Sequence, residues 1–292
     1  MPPSEMTWTG FYVATGVAIA LYVAAAAWLW RRVGSTADAI PAAGARVRAG
    51  WVALPPLALH ALLLAFATFA GPGMHFGFAH ALSASFLVAA VAVWIESLWL
   101  PLQGLLVFLL IAAAATVGLP AVFSGVPIAA DRDTLALRLH LVSAVLAYSL
   151  LATAAAHALL MASVDRALRA GGLAMGSSGR LLSRMPPLLV LETLMFRLIV
   201  AGFVFLTLTL ATGAVFSEEV FGLPARFGHK DDYKADFAVT SWLVFAALLA
   251  GRRVFGWRGR TALRWTLSGF GFLLLAYVGS RFVLEVIQGK YA

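Results

Sequence analysis

Residues 140–162 read HLVSAVLAYSLLATAAAHALLMA, a stretch of apolar and small residues without Asp, Glu, Lys or Arg. A helix of roughly 20 such residues is long enough to cross the hydrocarbon core of a bilayer. Because backbone groups cannot bond to water in lipid, a helix is the expected spanning form, and no alternating strand pattern competes with it. The stretch therefore predicts a transmembrane helix.

The composition extends this interpretation to the whole chain. Its 292 residues are 62% hydrophobic and 12% charged, with a mean hydropathy of +0.92, which lies outside the range of soluble domains. We predict an all-α, polytopic membrane protein with a bundle of about eight transmembrane helices. The predicted spans cover residues 11–30, 51–70, 79–98, 102–119, 136–162, 195–216, 237–251 and 265–287. They divide into two membrane regions of four spans, residues 1–134 and 135–292.

The first apolar run has no basic leader and no convincing cleavage site, so we expect a span there rather than a signal peptide. Basic residues cluster in three predicted loops, 31–50, 163–194 and 252–264. The positive-inside rule makes these loops cytoplasmic, and both termini then face outward. This topology and contact with anionic lipid explain the net charge of +8, so no nucleic-acid partner is expected.

The chain has no cysteine. This excludes disulfides, thiolate metal sites, covalent haem attachment through CxxCH and a cysteine nucleophile. A haem would be held non-covalently, and a metal would need His or carboxylate ligands. Neither a catalytic carboxylate pair, a nucleophile elbow nor a phosphate-binding glycine motif stands out in the sequence. We therefore expect no intrinsic enzymatic activity.

His140 opens the fifth predicted span at its outer boundary, and Tyr148 follows two helical turns below. Ser143, Ala144 and Ala147 continue the same face as small residues, which let another helix or a flat cofactor approach. Histidine is a common iron ligand. One interpretation makes His140 a cofactor ligand, and the other makes it an interfacial histidine bonded to water or a carbonyl.

The remaining histidines differ in their setting. His60 lies in the middle of the second predicted span, where an imidazole needs a partner, so it is either functional or buried against a polar group of another helix. His75 and His80 lie in a short glycine-rich outer loop and are expected to be solvated turn residues. His157 is expected to be interfacial, and His229 lies in the outer loop 217–236.

The last predicted span carries a polar stripe of Tyr277, Arg281 and Glu285 at i, i+4 and i+8. One interpretation is an intrahelical Arg–Glu pair, with Arg281 extending to the interface. The other pairs Arg281 with an anionic group of a ligand, such as a propionate, because a guanidinium suits bidentate carboxylate binding.

Several stretches resemble the CcsA/CcmC cytochrome c assembly family. They are HLVSAVLAYSLL (140–151), PPLLVLETLMFRL (186–198), GFVFLTLTLATGAVF (202–216), TSWLVFAALLAGRR (240–253), GWRGRTALRW (256–265) and AYVGSRF (276–282). The similarity covers about residues 135–287. Within the family, the chain most resembles the YpjD/HemX-like inner-membrane proteins, which share its eight-span size.

The resemblance implies a multi-pass protein of the bacterial inner membrane that handles haem b. By motif position, it implies His140 and His229 as axial ligands of the haem iron. With haem as the ligand, the anionic group that Arg281 would bind is a propionate. It also implies Tyr148, and more loosely His60, as further cofactor-binding residues. The expected partners are haem, the lipid bilayer and membrane assembly proteins.

The loop 217–236 reads SEEVFGLPARFGHKDDYKAD and contains no Trp, whereas the family carries a Trp-rich haem-presentation motif there. We therefore expect a haem-binding or haem-trafficking protein rather than a synthase. Two alternatives stay open. One is a small-solute permease with His60 lining its path, and the other is an assembly or regulatory scaffold without a bound cofactor.

Overall fold

A computed structural model describes residues 5–35, 44, 50–70, 74–123, 126–128, 134–169, 187–221 and 233–276. The chain packs as two compact units. The N-terminal unit holds the described residues up to 134, and the C-terminal unit holds residues 135–169 together with 187–276.

The N-terminal unit contains five helices among its described residues. They are α1 (Glu5–Ser35), α2 (Leu54–Phe69), α3 (Phe78–Trp99), α4 (Gln103–Thr116) and the short α5 (Leu119–Val122). A 3-10 turn, Trp51–Ala53, leads into α2, whose first turn accommodates proline because the first helical N–H groups have no acceptor within the helix. Two short strands, β1 (Met74–Phe76) and β2 (Val126–Ile128), pair antiparallel.

The core of the N-terminal unit forms where α1 packs along α4 and α2. Phe11, Ala18, Leu63 and Val117 are buried together there. The Phe11 ring stacks on the ring of Phe66, with centroids 5.4 Å apart. Lipid is as apolar as these side chains and provides little hydrophobic drive between helices. Close packing of complementary side chains therefore determines which faces of the helices meet.

The C-terminal unit contains four long helices among its described residues, α6 (Leu135–Arg169), α7 (Leu188–Phe221), α8 (Tyr233–Val254) and α9 (Arg260–Leu274). Helix α6 packs along α7, and α9 contacts both α8 and α6. Leu151, Met195 and Ile199 are fully buried in this unit. This packing joins helices that lie far apart in the sequence.

Seven helical segments of the described residues are long and apolar enough to cross a membrane. They are Thr9–Arg32, Trp51–Phe69, Ala79–Trp99, Gln103–Val122, Leu135–Arg166, Leu188–Ala214 and Ala235–Val254. Large apolar side chains on them are exposed, such as Leu62 at 68% and Phe108 at 56%, which suits contact with lipid rather than water. The prediction of an all-α polytopic membrane protein is confirmed. The predicted eighth span, 265–287, extends past residue 276 and so lies partly outside the described residues.

Several predicted span ends were wrong. Helix α7 begins at Leu188, inside the predicted loop 163–194, and α6 continues to Arg169. In its last turn Arg169 donates to Asp165 at 2.8 Å, an i,i+4 ion pair that supports helix beyond the apolar stretch. The short span predicted from residue 237 is extended at its start, because α8 begins at Tyr233.

The GWRG sequence forms the corner between α8 and α9. Gly256 and Gly259 have φ angles of +65° and +55°, which side chains with a Cβ rarely adopt. Trp257 packs on Gly251, where its ring leaves no room for a Cβ, and its centroid lies 5.1 Å from that of Trp265. The sharp turn between the two helices therefore explains why this motif contains two glycines and a tryptophan.

Helices α8 and α9 approach closely at Gly269. A Cβ on Gly269 would lie 2.9 Å from Cε2 of Phe245, and Ser241 donates to the Gly269 carbonyl at 2.8 Å. We expect Gly269→Ala to lower the free energy of unfolding by about 1–3 kcal/mol, because overpacking forces the helices apart. Thermal unfolding in detergent micelles measures this.

Gly271 provides the matched control. It lies two residues further on the same helix, and a Cβ there would meet nothing within 4 Å. Gly271→Ala should leave stability unchanged or raise it by about 0.5–1 kcal/mol, since Ala favours helix over Gly. Equal stabilities of the two variants would contradict the close approach at Gly269.

Candidate functional site

Helix α6 places His140 against α7. Its Nδ1 lies 3.1 Å from the Thr209 carbonyl oxygen and 3.3 Å from Oγ1 of Thr212. The Thr212 hydroxyl itself donates to the Leu208 carbonyl at 2.7 Å. A carbonyl oxygen can only accept, so Nδ1 carries the proton that it donates to Thr209.

This bond decides which nitrogen of His140 can act as a ligand. With the proton on Nδ1, a neutral imidazole presents a lone pair at Nε2. Nε2 has no hydrogen-bond partner among the residues that the structure describes, and the His140 side chain is half-buried. The ring is therefore oriented on one side and open to a ligand on the other.

Gly213 shapes the wall beside the imidazole. A Cβ built on Gly213 would lie 3.1 Å from Cε1 and 3.4 Å from Nδ1 of His140. Contacts this short require the neighbour to move. Glycine here allows the ring to lie directly against the backbone of α7.

The small-residue face predicted below His140 is partly covered by α7. Ser143 is buried; it donates to the His140 carbonyl at 3.0 Å and accepts from Thr209 Oγ1 at 3.0 Å. Ala147 is buried as well. At Ser143, helix approach is therefore the observed use of a small residue.

Tyr148 is turned toward a different neighbour from His140. Its ring meets that of Phe270 on α9 edge-on, with centroids 5.8 Å apart. Eight residues advance a helix by about 12 Å and rotate it past two full turns by most of a quarter turn. This rotation explains why His140 faces α7 while Tyr148 faces α9.

Two of the predicted cofactor residues, His229 and Arg281, lie outside the described residues, as do Tyr277 and Glu285. His140 and Tyr148 lie in the C-terminal unit, and His60 lies in the N-terminal unit. Among the described residues, no group of three or more His, Cys, Asp or Glu could hold a metal ion together. His140 is therefore the described centre of the candidate site.

His60 is fully buried and joins three helices of the N-terminal unit. Its Nδ1 lies 2.9 Å from the Tyr22 hydroxyl on α1, and its Nε2 lies 2.7 Å from Ser83 Oγ on α3. Both ring nitrogens are thus bonded. Of the two uses predicted for His60, the structure provides the polar partner on neighbouring helices.

The prediction for His80 was wrong. His80 is fully buried in the first turn of α3, with Nε2 3.4 Å from the Ala67 carbonyl, rather than solvated in a turn. Helix α3 begins at Phe78, one residue before the predicted span, and packs against α2. His157 is also fully buried, with Nδ1 2.9 Å from the carbonyl of Thr153 in its own helix, and its interfacial depth stays a prediction.

The sequence analysis missed Glu192, a buried carboxylate on α7. It accepts from Nε of Arg258 and from the N–H of Gly259, each at 3.3 Å. A lone glutamate within the apolar run LLVLETLMF could have signalled a required partner. It was missed because this segment was predicted to be loop.

A family model described as cytochrome c assembly protein matches residues 53–288. The fold defines a multi-pass α-helical membrane protein, and the chain belongs to the cytochrome c assembly protein family.

Two relatives illustrate the range of similarity. The inner membrane protein YpjD of Escherichia coli strain K12 is 34% identical over 149 residues, which cover 51% of this chain and 52% of YpjD. The cytochrome c biogenesis protein CcsA of Prochlorococcus marinus strain MIT 9515 is 41% identical over 93 residues, 32% of this chain and 28% of that protein. The chain thus spans about half the length, or less, of the curated relatives it matches. No solved structure matches it significantly.

The similarity to YpjD and the apolar helices indicate the same cellular location. The chain is a multi-pass inner-membrane protein, as the sequence analysis predicted. Its resemblance to the cytochrome c assembly family, and to the YpjD-like proteins within it, is confirmed.

The bonds of His60 yield a test in the N-terminal unit. Tyr22→Phe would leave Nδ1 of His60 without its partner in an apolar interior, so we expect a loss of about 1–2 kcal/mol in unfolding free energy. Tyr12→Phe is the control, because Tyr12 on the same helix is 55% exposed. Thermal unfolding of both purified variants measures the difference. If both unfolded at the wild-type temperature, the Tyr22–His60 bond would not stabilise the unit.

Proposed function

We propose that this protein binds haem b non-covalently and takes part in haem handling during cytochrome c assembly, with Nε2 of His140 as an axial ligand of the iron. The single observation that carries the proposal is the bond from Nδ1 of His140 to the Thr209 carbonyl. Membership of the cytochrome c assembly family supplies the chemical context.

The bond to Thr209 supports ligation for a general reason. Histidines that ligate metals almost always donate their other ring N–H to a carbonyl, carboxylate or water, which fixes the tautomer and the ring orientation. His140 has this arrangement, with Nδ1 donating to the Thr209 carbonyl. The chain has no cysteine, so a haem would depend on such coordination and on non-covalent contacts.

Other residues join the proposal with different support. His229 is proposed as the second axial ligand on sequence resemblance alone. Arg281 is proposed as a propionate partner because a guanidinium suits carboxylate binding. Tyr148 is proposed as a contact on the same helix as His140, beside Phe270. When bound, haem supplies the iron and the flat apolar macrocycle, and the protein orients and retains it.

Among the described residues, the permease alternative has less support than haem binding. Its key residue, His60, is fully buried and holds Tyr22 and Ser83 with its two ring nitrogens. A solute path needs polar groups that a passing solute can contact. These bonds favour a role for His60 in joining helices. His140 differs because, among the described residues, only one of its ring nitrogens is bonded.

An absorption spectrum tests the proposed ligand. Wild-type protein mixed with haem should give a Soret band, and His140→Ala should weaken haem affinity at least about 100-fold, because loss of even an outer-shell partner typically costs 10–100-fold in metal affinity. Free imidazole added to His140→Ala should restore the band if the ring's place is vacated. His229→Ala should also weaken binding.

His75→Ala is the control, because His75 lies on β1 in the N-terminal unit. Its spectrum should match the wild type. A wild-type protein without a Soret band, or a band that both His140→Ala and His229→Ala leave unchanged, would refute the proposal.

Gly213 provides a test that keeps the histidine in place. A Cβ on Gly213 would already lie 3.1 Å from the His140 ring, and Gly213→Val adds two methyl groups beyond that Cβ. We expect the displaced imidazole to bind haem about tenfold more weakly and to shift the Soret maximum. Ala211→Val is the matched control, because Ala211 is exposed on the same helix. Equal haem affinity in the two variants would show that the Gly213 wall does not position the ligand.

A further inference from the structure

The end of the C-terminal unit farthest from His140 along α6 is rich in arginine. The described segments 160–169, 187–197 and 250–265 meet at this end and carry eight arginines against two carboxylates. The arginines are Arg166, Arg169, Arg197, Arg252, Arg253, Arg258, Arg260 and Arg264, and the carboxylates are Asp165 and Glu192. The positive-inside rule predicts that this end faces the cytoplasm.

The two carboxylates form ion pairs with three of the arginines. Glu192 accepts from Nε of Arg258 at 3.3 Å. Asp165 accepts from Nε of Arg260 at 3.3 Å and from Arg169 at 2.8 Å. An arginine has five N–H donors in a fixed fork. Among the residues that the structure describes, Arg258 and Arg260 bond through Nε, which leaves their terminal donors for another acceptor.

These arginines remain accessible. The side chains of Arg258 and Arg260 are 63% and 59% exposed. Glu192 is buried and also accepts from the backbone N–H of Gly259, so it fixes the corner that carries both arginines. Two oriented guanidinium groups close in sequence suit an acceptor with several oxygens and a negative charge.

Exposed apolar side chains lie at the same corner. Val254, the last residue of α8, and Phe255 are 72% and 74% exposed, and two residues separate them from Arg258 in sequence. An aromatic and an aliphatic side chain beside arginines is typical of the boundary between lipid tails and headgroups. The corner therefore combines a tail-contacting part with a phosphate-contacting part.

We propose that Arg258 and Arg260, held by Glu192 and Asp165, form a binding site for the phosphate of an anionic phospholipid headgroup, with Val254 and Phe255 against its acyl chains. Charge complementarity selects this ligand, because a guanidinium fork matches phosphate oxygens and the surplus of arginine favours a lipid with net negative charge. None of these residues is among those proposed to bind haem, so the two proposals can fail separately.

The wild-type protein tests the lipid preference directly. Delipidated protein in detergent is titrated with phosphatidylglycerol or phosphatidylcholine, and bound lipid is counted by native mass spectrometry. We expect phosphatidylglycerol to bind about tenfold more tightly, since each arginine near a lipid surface adds about 1 kcal/mol. Equal binding of the two lipids would overturn the proposal without any variant.

A pair of double variants locates the site. Arg258→Gln with Arg260→Gln should lose about tenfold in phosphatidylglycerol affinity and less in phosphatidylcholine affinity, because phosphatidylcholine has no net negative charge. Arg166→Gln with Arg253→Gln removes the same charge from two exposed arginines other than Arg258 and Arg260. This control should lose much less phosphatidylglycerol affinity. Equal losses would show diffuse charge attraction instead of a site. Displacement of the lipid by inorganic phosphate at equal concentration would show a soluble-anion site instead.

Discussion

Polar side chains buried among apolar helices cost free energy unless a neighbouring group bonds to them, and in lipid no water can replace that group. In both units the helices are joined at such side chains. His60 links α2 to α1 and α3, His140 links α6 to α7, and Glu192 links α7 to the corner before α9. These contacts give apolar helices a defined register, which apolar packing against lipid-like neighbours specifies only weakly.

The same requirement distinguishes His60 from His140 as possible ligands, which the sequence alone could not do. His60 has a partner at each ring nitrogen and is fully buried, so ligation would require one of its bonds to break. His140 is half-buried and bonded at Nδ1 alone among the described residues. The unbonded Nε2 and the partial exposure of the ring together make His140 the better candidate for coordination chemistry.

The transmembrane spans were predictable because each is a continuous run of apolar residues in the sequence. The residues that contact one another across helices were not predictable. Nothing near His140 in sequence points to Thr209 or Gly213, since their proximity depends on how α6 lies against α7. Helix ends were also missed, because polar residues such as Asp165 extend a helix through local ion pairs. The signal for Glu192 was present, but assigning its segment to a loop removed the reason to seek a partner for it. The second proposed ligand, His229, lies outside the described residues and stays a prediction.

The two proposed sites of the C-terminal unit are connected by the length of α6. His140 and Asp165 lie on this one helix, and their separation of 25 positions corresponds to about 38 Å of rise. This exceeds the roughly 30 Å thickness of the hydrocarbon core, so α6 is long enough to place one proposed site at each boundary of a bilayer. A headgroup held by the arginines would fix the depth of α6 at one boundary. A rigid helix would then hold the His140 ring at the opposite boundary, where a haem could reach it without entering the tails.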